Sequence, residues 1–234
     1  MLSPKSTVVG YTTTPTKIGD MKFSLGTAPF ESVGEDGLVK VADMVKSSAL
    51  AAGYDYREEQ AAALQVWDGA GYAFYWYIND AGDNMDETGW ADGSGYVTEA
   101  KVAPGTGYWY KAPGETTFTL AGQVSPLATI TKDIPKNSFQ LVGNPFPTAL
   151  YLTKLTTTIP AAGYDYREEQ AAALQVWDGA GYAFYWYIND AGDNMDETGW
   201  ADGSGYVKED VAADATKGFW IVSPAAAGTI TFEK

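Results

Sequence analysis

The sequence predicts an all-β protein of two tandem β-sandwich-like domains that share an identical 47-residue block. Three observations carry this reading. Residues 51–97 recur letter for letter as 161–207. The 234 residues include 26 glycines and 11 prolines, which punctuate short runs of β-forming residues. Hydrophobic residues make up 45% of the chain and aromatics 14%, enough for packed cores rather than a disordered chain.

The elements follow in chain order. Val8–Thr14 and Thr129–Lys132 read as the opening strands of the two modules. Glu58–Leu64 is rich in alanine and glutamate and predicts the one short helix or helical turn. Ala63–Trp67 then predicts a strand. Asp68-Gly69-Ala70-Gly71 predicts a turn, since Asp and Gly tolerate positive φ. Tyr72–Ile78 is a strong β-former. Period-two alternation puts Tyr72, Phe74, Trp76 and Ile78 on one face and Ala73, Tyr75 and Tyr77 on the other. Aromatics on both faces predict a strand covered on both sides. Tyr108–Lys111 and Thr116–Leu120 predict a hairpin around Ala112-Pro113-Gly114. Short strands at this spacing suit a sandwich or small barrel.

The repeat extends weakly beyond the identical block. Phe23–Phe30 matches Phe139–Phe146 at an offset of 116, Gly107–Tyr110 matches Gly218–Ile221 at 111, and Thr117-Phe118 matches Thr231-Phe232 at 114. A period near 115 residues is domain-sized rather than solenoid-sized. The expected domains are 1–122 and 123–234. Full identity inside the block and low identity outside point to a recent event, natural or deliberate, rather than gradual drift.

Cysteine and histidine are both absent. That excludes disulfides, thiolate nucleophiles, Ser–His and Cys–His catalysis, and the commonest zinc ligands. No run approaches the roughly 20 apolar residues of a membrane-spanning helix. Met1–Gly10 lacks the basic-then-apolar layout of a signal peptide. Net charge is −15, and its distribution is informative. Each block holds nine acids against Arg57 or Arg167, while the remaining residues carry 12 acids and 13 lysines. The acidity belongs to the block. Nucleic acid is therefore not an expected partner, because phosphates need a basic face.

Phe139-Gln-Leu-Val-Gly-Asn-Pro-Phe-Pro147, a later Trp-Asp-Gly turn, an aromatic strand and Lys217-Gly-Phe-Trp220 together resemble the tandem β-sandwich repeat modules of large secreted bacterial surface proteins. Pro104-Gly-Thr-Gly-Tyr-Trp109 fits the closing pattern of such modules. The opening pattern is degraded in the first copy to Leu25-Gly-Thr-Ala-Pro-Phe30. The resemblance implies an extracellular β-sandwich and brings no active site.

Two constellations are candidate sites. The loop after Asn79 carries Asp80, Asp83, Asn84, Asp86 and Glu87, and its twin carries Asp190, Asp193, Asn194, Asp196 and Glu197. Calcium takes 6–8 oxygen ligands, which such a loop can supply. The D-x-D-x-D-G spacing of an EF-hand is missing, and a solvated acidic turn is the competing reading. The second constellation is aromatic: Trp67, Tyr75, Trp76, Tyr77 and Trp90, repeated as Trp177, Tyr185, Trp186, Tyr187 and Trp200. Tyr and Trp are enriched in cores and contact surfaces alike. The adjacent acids Glu58 and Glu59 do not make a glycosidase, whose two carboxylates must flank one bond.

The expected function is non-enzymatic: an extracellular structural or adhesive protein at the cell surface, forming a filament or surface layer from copies of itself. The alternative is a bivalent carbohydrate-binding protein using the duplicated aromatic site. Calcium is the only cofactor expected. Glycans are the other candidate partner, and membrane insertion is not expected.

Overall fold

A computed structural model describes residues 9–14, 23–31, 37–44, 61–79, 88–94, 99–111, 118–161, 171–177, 180–189, 197–204, 207–208, 211–213, 217–224 and 226–234. The first half contains strands β1 (Val9–Thr14), β2 (Ser24–Thr27) and β3 (Val39–Lys40), then a single helical turn α1 (Val41–Met44). Strands β4 (Ala63–Trp67), β5 (Tyr72–Asn79), β6 (Thr88–Ala91), β7 (Lys101–Val102), β8 (Gly107–Lys111) and β9 (Phe118–Gln123) follow. The second half opens with β10 (Thr129–Ile134), β11 (Ser138–Gly143), β12 (Leu150–Tyr151), a 3-10 turn over Leu152–Lys154, and β13 (Leu155–Thr157). It closes with β14 (Ala173–Trp177), β15 (Tyr182–Asn189), β16 (Thr198–Ala201), β17 (Ala212–Ala213), β18 (Gly218–Ser223) and β19 (Gly228–Glu233).

The fold is all-β and sandwich-like, and every sheet pairing is antiparallel. Each half builds one five-stranded sheet, ordered β2-β8-β4-β5-β6 in the first and β11-β18-β14-β15-β16 in the second. Smaller ladders accompany them: β1-β9 and β3-β7 in the first half, β10-β19-β13 and β12-β17 in the second. Every pairing of the first half has a counterpart in the second. Even short ladders keep register, with Val39 opposite Val102 and Leu150 opposite Ala213, both shifted by 111 residues.

Alternation decides which face of each large sheet is buried. Leu64 and Val66 of β4, Tyr75 of β5 and Tyr108 and Tyr110 of β8 point inward. They meet Phe30, Val39, Val41, Trp90 and Leu120 in one core. A second core joins Phe146, Leu150, Leu152, Leu155, Leu174, Trp200, Phe219, Ile221, Ile230 and Phe232. Trp200 is fully enclosed and its indole N–H donates to the Leu155 carbonyl at 2.7 Å, so the buried donor is satisfied.

Three sequence expectations change. Ala63 and Leu64, read as the end of a helical stretch, lie in β4, and the Ala62 carbonyl accepts the Tyr77 N–H at 3.0 Å. Sheet pairing and complete burial of Ala61, Ala62 and Leu64 outweigh the alanine preference for helix. Residues 108–111 and 116–120 do not form a hairpin: β8 pairs with β2 and β4, while β9 pairs with β1 in another ladder. Strand β5 is not covered on both sides: Phe74 on its outer face is 45% exposed. The turn between β4 and β5 forms as expected. The Asp68 carboxylate accepts from the N–H groups of Ala70 and Gly71 at 2.8 and 2.7 Å, and Gly69 takes φ +101°.

The Gly143-Asn144-Pro145-Phe146 turn shows why its asparagine is there. Asn144 is completely buried. Its Oδ1 accepts the Phe146 N–H at 2.9 Å, and its Nδ2 donates to the Thr148 carbonyl at 2.6 Å. Asn144→Ala leaves both backbone groups without this partner, and a loss of about 1–3 kcal/mol is expected in urea melts. Trp200→Ala, which empties the core beside it, is expected to cost about 3–5 kcal/mol. A smaller effect at Trp200 than at Asn144 would contradict this ordering.

Candidate functional site

The outer faces of the two large sheets, not their cores, carry the accessible chemistry. In the first sheet the outward row across β8, β4 and β5 is Trp109, Gln65 and Phe74, which are direct cross-strand neighbours. The second sheet repeats it as Trp220, Gln175 and Phe184. Beside each row a stacked pair stands along β5 or β15. Phe74 and Trp76 have ring centroids 6.2 Å apart at 18°, and Phe184 and Trp186 are 6.1 Å apart at 17°. Phe74, Phe184, Phe23 and Phe139 are all exposed.

Part of each outer face is consumed by the other module. Trp67 meets Trp220 edge-on at 5.5 Å, and Trp177 meets Trp109 at 6.2 Å. These contacts are reciprocal, since Trp177 repeats Trp67 and Trp220 repeats Trp109. Glycines allow the approach. A Cβ on Gly107 would lie 2.5 Å from Leu141 Cγ, and one on Gly218 would lie 3.2 Å from Leu25 Cγ and 2.6 Å from the Gly26 carbonyl oxygen. A Cβ on Gly143 would meet Thr27 Cβ at 2.4 Å, and these two positions are themselves equivalent. The seam therefore has approximate two-fold symmetry. Backbone bonds cross it as well, with the Gly143 N–H donating to the Gly105 carbonyl at 3.0 Å. One polar contact breaks the symmetry. Trp67 Nε1 donates to Gln140 Oε1 at 3.1 Å, and Gln140 Nε2 donates to the Gly69 carbonyl at 3.3 Å. Position 24, equivalent to Gln140, is a serine.

The expected aromatic site thus separates into two sets. Trp67, Trp76, Trp177 and Trp186 lie on the outer faces. Tyr75 and Trp90 lie inside the first core, with Trp90 only 1% exposed and Tyr77 packed 5.3 Å from it. Trp200 does the same in the second, with Tyr185 and Tyr187 packed against that core. Sequence reasoning passed over Phe23, Trp109, Phe139 and Trp220 as site residues. Alternation within Gly107–Lys111 and Gly218–Ser223, which sets Trp109 and Trp220 opposite the buried Tyr108, Tyr110, Phe219 and Ile221, was the signal that could have found the two tryptophans.

Of the acidic loops, Asp80, Asp83, Asn84, Asp86, Glu87, Asp190, Asp193, Asn194 and Asp196 lie outside the described residues, as do Glu58 and Glu59. Glu197 is described, and its Oε2 accepts the Val207 N–H at 2.8 Å. Among the described residues no group of three or more acids clusters as a metal site. Ion pairs among them sit at the surface. Ser204 and Lys208 hold the Asp202 carboxyl down at about 2 through hydrogen bonds. Among the described residues no helix is long and apolar enough to cross a membrane.

Comparison with protein-family models, with curated proteins and with solved structures found no match to the chain.

Lys132 on β10 is the electrostatic outlier of the seam. Its Cε lies beside Gly105, where a Cβ would meet it at 2.9 Å, next to the Gly143 carbonyl and Pro145. Burial lowers its pKa to about 8 from 10.5. Below pH 8 both states are charged and the folded one bears the desolvation cost. Between about 8 and 10.5 the unfolded chain holds the proton more tightly, so stability rises with pH. Lys132→Met is expected to stabilise the protein at pH 7 by about 1–2 kcal/mol, part of the full shift because the side chain keeps some contact with water. That gain shrinks by pH 10. Thermal melts of both proteins across pH 7–10 check this, and parallel curves would contradict it.

Proposed function

We propose that the chain is a non-enzymatic extracellular structural or adhesive protein that assembles with copies of itself through the outer faces of its large sheets. One observation carries this reading. The two modules already bind each other through those faces, by reciprocal tryptophan contacts over glycine seams. The uncovered remainder of each face continues the same surface, with the stacks Phe74–Trp76 and Phe184–Trp186 at its edge, their phenylalanines exposed. Aromatic side chains dominate contact surfaces because they bury large area at little entropic cost. Two like faces on one chain give two valences, and a contact that does not close on itself propagates into a filament or layer.

Edge strands add a second route. Strand β10 has β19 on one side and no partner on the other among the described residues. Strand β1 pairs with β9 of its own module. The acidic blocks keep such surfaces soluble as single chains, and the lysines outside them offer a neighbour opposite charge.

Sedimentation velocity and negative-stain microscopy test the proposal. Concentration-dependent assemblies are expected for the native chain. Phe74→Ser together with Phe184→Ser is expected to lower the assembled fraction while far-ultraviolet dichroism stays the same. A monodisperse 25.1 kDa monomer at high concentration would overturn the reading.

A further inference from the structure

Gln65 stands out on the outer face of the first sheet. It is half-buried, yet its side-chain amide makes no hydrogen bond among the described residues. Water or a ligand is left to satisfy it. Its neighbours are rings: Trp109 across on β8 and Phe74 across on β5. Phe23, Gln65 and Trp109 line an open cavity of about 230 Å³. Phe23 stands perpendicular to Trp109, with centroids 6.3 Å apart at 88°, so the two rings form a wall and a floor. The Trp109 ring is held in place from elsewhere. Its Nε1 donates to the Tyr72 hydroxyl at 3.1 Å, and Trp177 of the second module packs against it.

This is a preorganised corner with one amide that has no partner among the described residues. The amide offers two donors and an acceptor. A hexopyranose presents the complementary surface, with C–H faces that lie on aromatic rings and vicinal hydroxyls that both donate and accept. The cavity is smaller than the roughly 300 Å³ and more of a typical cofactor or drug-like site, which leaves space for a single sugar ring. Its openness suits one unit of a longer glycan. Phosphorylated ligands fit poorly, since among the described residues Lys111 is the base that reaches the lining rings, and its ammonium lies 5.6 Å over the Phe23 ring. The second module repeats the corner. Gln175 sits between Trp220 and Phe184, is half-buried, and likewise makes no side-chain hydrogen bond among the described residues. Phe139 stands at 77° to Trp220, with centroids 6.4 Å apart.

We propose that the corner formed by Phe23, Gln65 and Trp109 is a binding subsite for a neutral hexopyranose unit, repeated in the second module at Phe139, Gln175 and Trp220. The two corners make the chain a bivalent glycan binder, a property that does not rest on self-assembly.

The full chain is titrated calorimetrically, and by tryptophan emission, with cellohexaose, maltohexaose, mannohexaose and β-1,4-galactohexaose up to millimolar concentration. Saturable binding of at least one is expected. Gln65→Leu with Gln175→Leu keeps the rings and the outward-facing positions, so the melting temperature is expected to stay close to the native value. Affinity for that sugar is expected to fall about tenfold or more. Sedimentation of the same samples reads assembly separately. Absence of heat and of any emission change with all four sugars would overturn the proposal. So would unchanged affinity in the doubly substituted protein.

Discussion

The close approach of two sheet faces at glycine is the constraint on which the rest of the arrangement depends. At Gly107, Gly143 and Gly218 a Cβ would fall between 2.4 and 2.6 Å from atoms of the opposite module. Contacts that short are forbidden, so any side chain there forces the sheets apart. With glycine the backbones come near enough for Gly143 to donate to the Gly105 carbonyl, and for the tryptophans on either side to interlock. The seam then fixes which parts of the outer faces are covered and which stay open. Trp109 is held rigid by Trp177 because the seam closes, and the exposed rings at positions 23, 74, 139 and 184 lie where it ends.

The approximate two-fold relation has a physical consequence. A surface that binds its own copy is self-complementary, so each favourable contact occurs twice. A duplicated module meets that condition from the moment of duplication. Departures from symmetry then mark places where one copy diverged. Gln140 stands opposite the turn at Asp68–Gly71 and accepts a hydrogen bond from the Trp67 indole N–H, while its equivalent Ser24 has a shorter side chain. The identical blocks themselves occupy both sides of the relation. They supply β4, β5 and β6, and again β14, β15 and β16, which include the inner-face tryptophans and most of the outer aromatic rows.

Self-assembly and glycan binding draw on neighbouring parts of one surface. Stacked pairs such as Phe74–Trp76 present broad apolar area with the indole N–H as its one polar group, which favours another protein face. The corners at Gln65 and Gln175 add an amide that an apolar partner would leave without a hydrogen bond. The two surfaces therefore ask for different partners. A chain with two modules presents each of them twice, so weak contacts of either kind gain from effective concentration.

Much of the fold was legible in the sequence. Strand β4, the Asp68–Gly71 turn, β5 and the opening strands lie where local propensity and turn chemistry put them, because these are short-range effects. The duplication and the concentration of acid in the repeated block follow from counting alone. What alternation could not decide was which face of β5 turns inward, since both carry aromatics. The small sheets settle that by covering Tyr75 and Trp90 and leaving Phe74 to solvent. The 108–120 segment misled for a related reason: two strands joined by a turn pair with each other or with distant strands, and long-range burial chose the latter. The alanine-rich stretch before β4 gave up its helical preference to the same sheet. By itself, then, the sequence determined the strands, the turns and the repeat, which depend on residues near one another in the chain. Only the tertiary structure decided the faces, the seam and the amides at Gln65 and Gln175 that have no partner among the described residues, because burial and hydrogen-bond satisfaction are properties of neighbours far away in sequence.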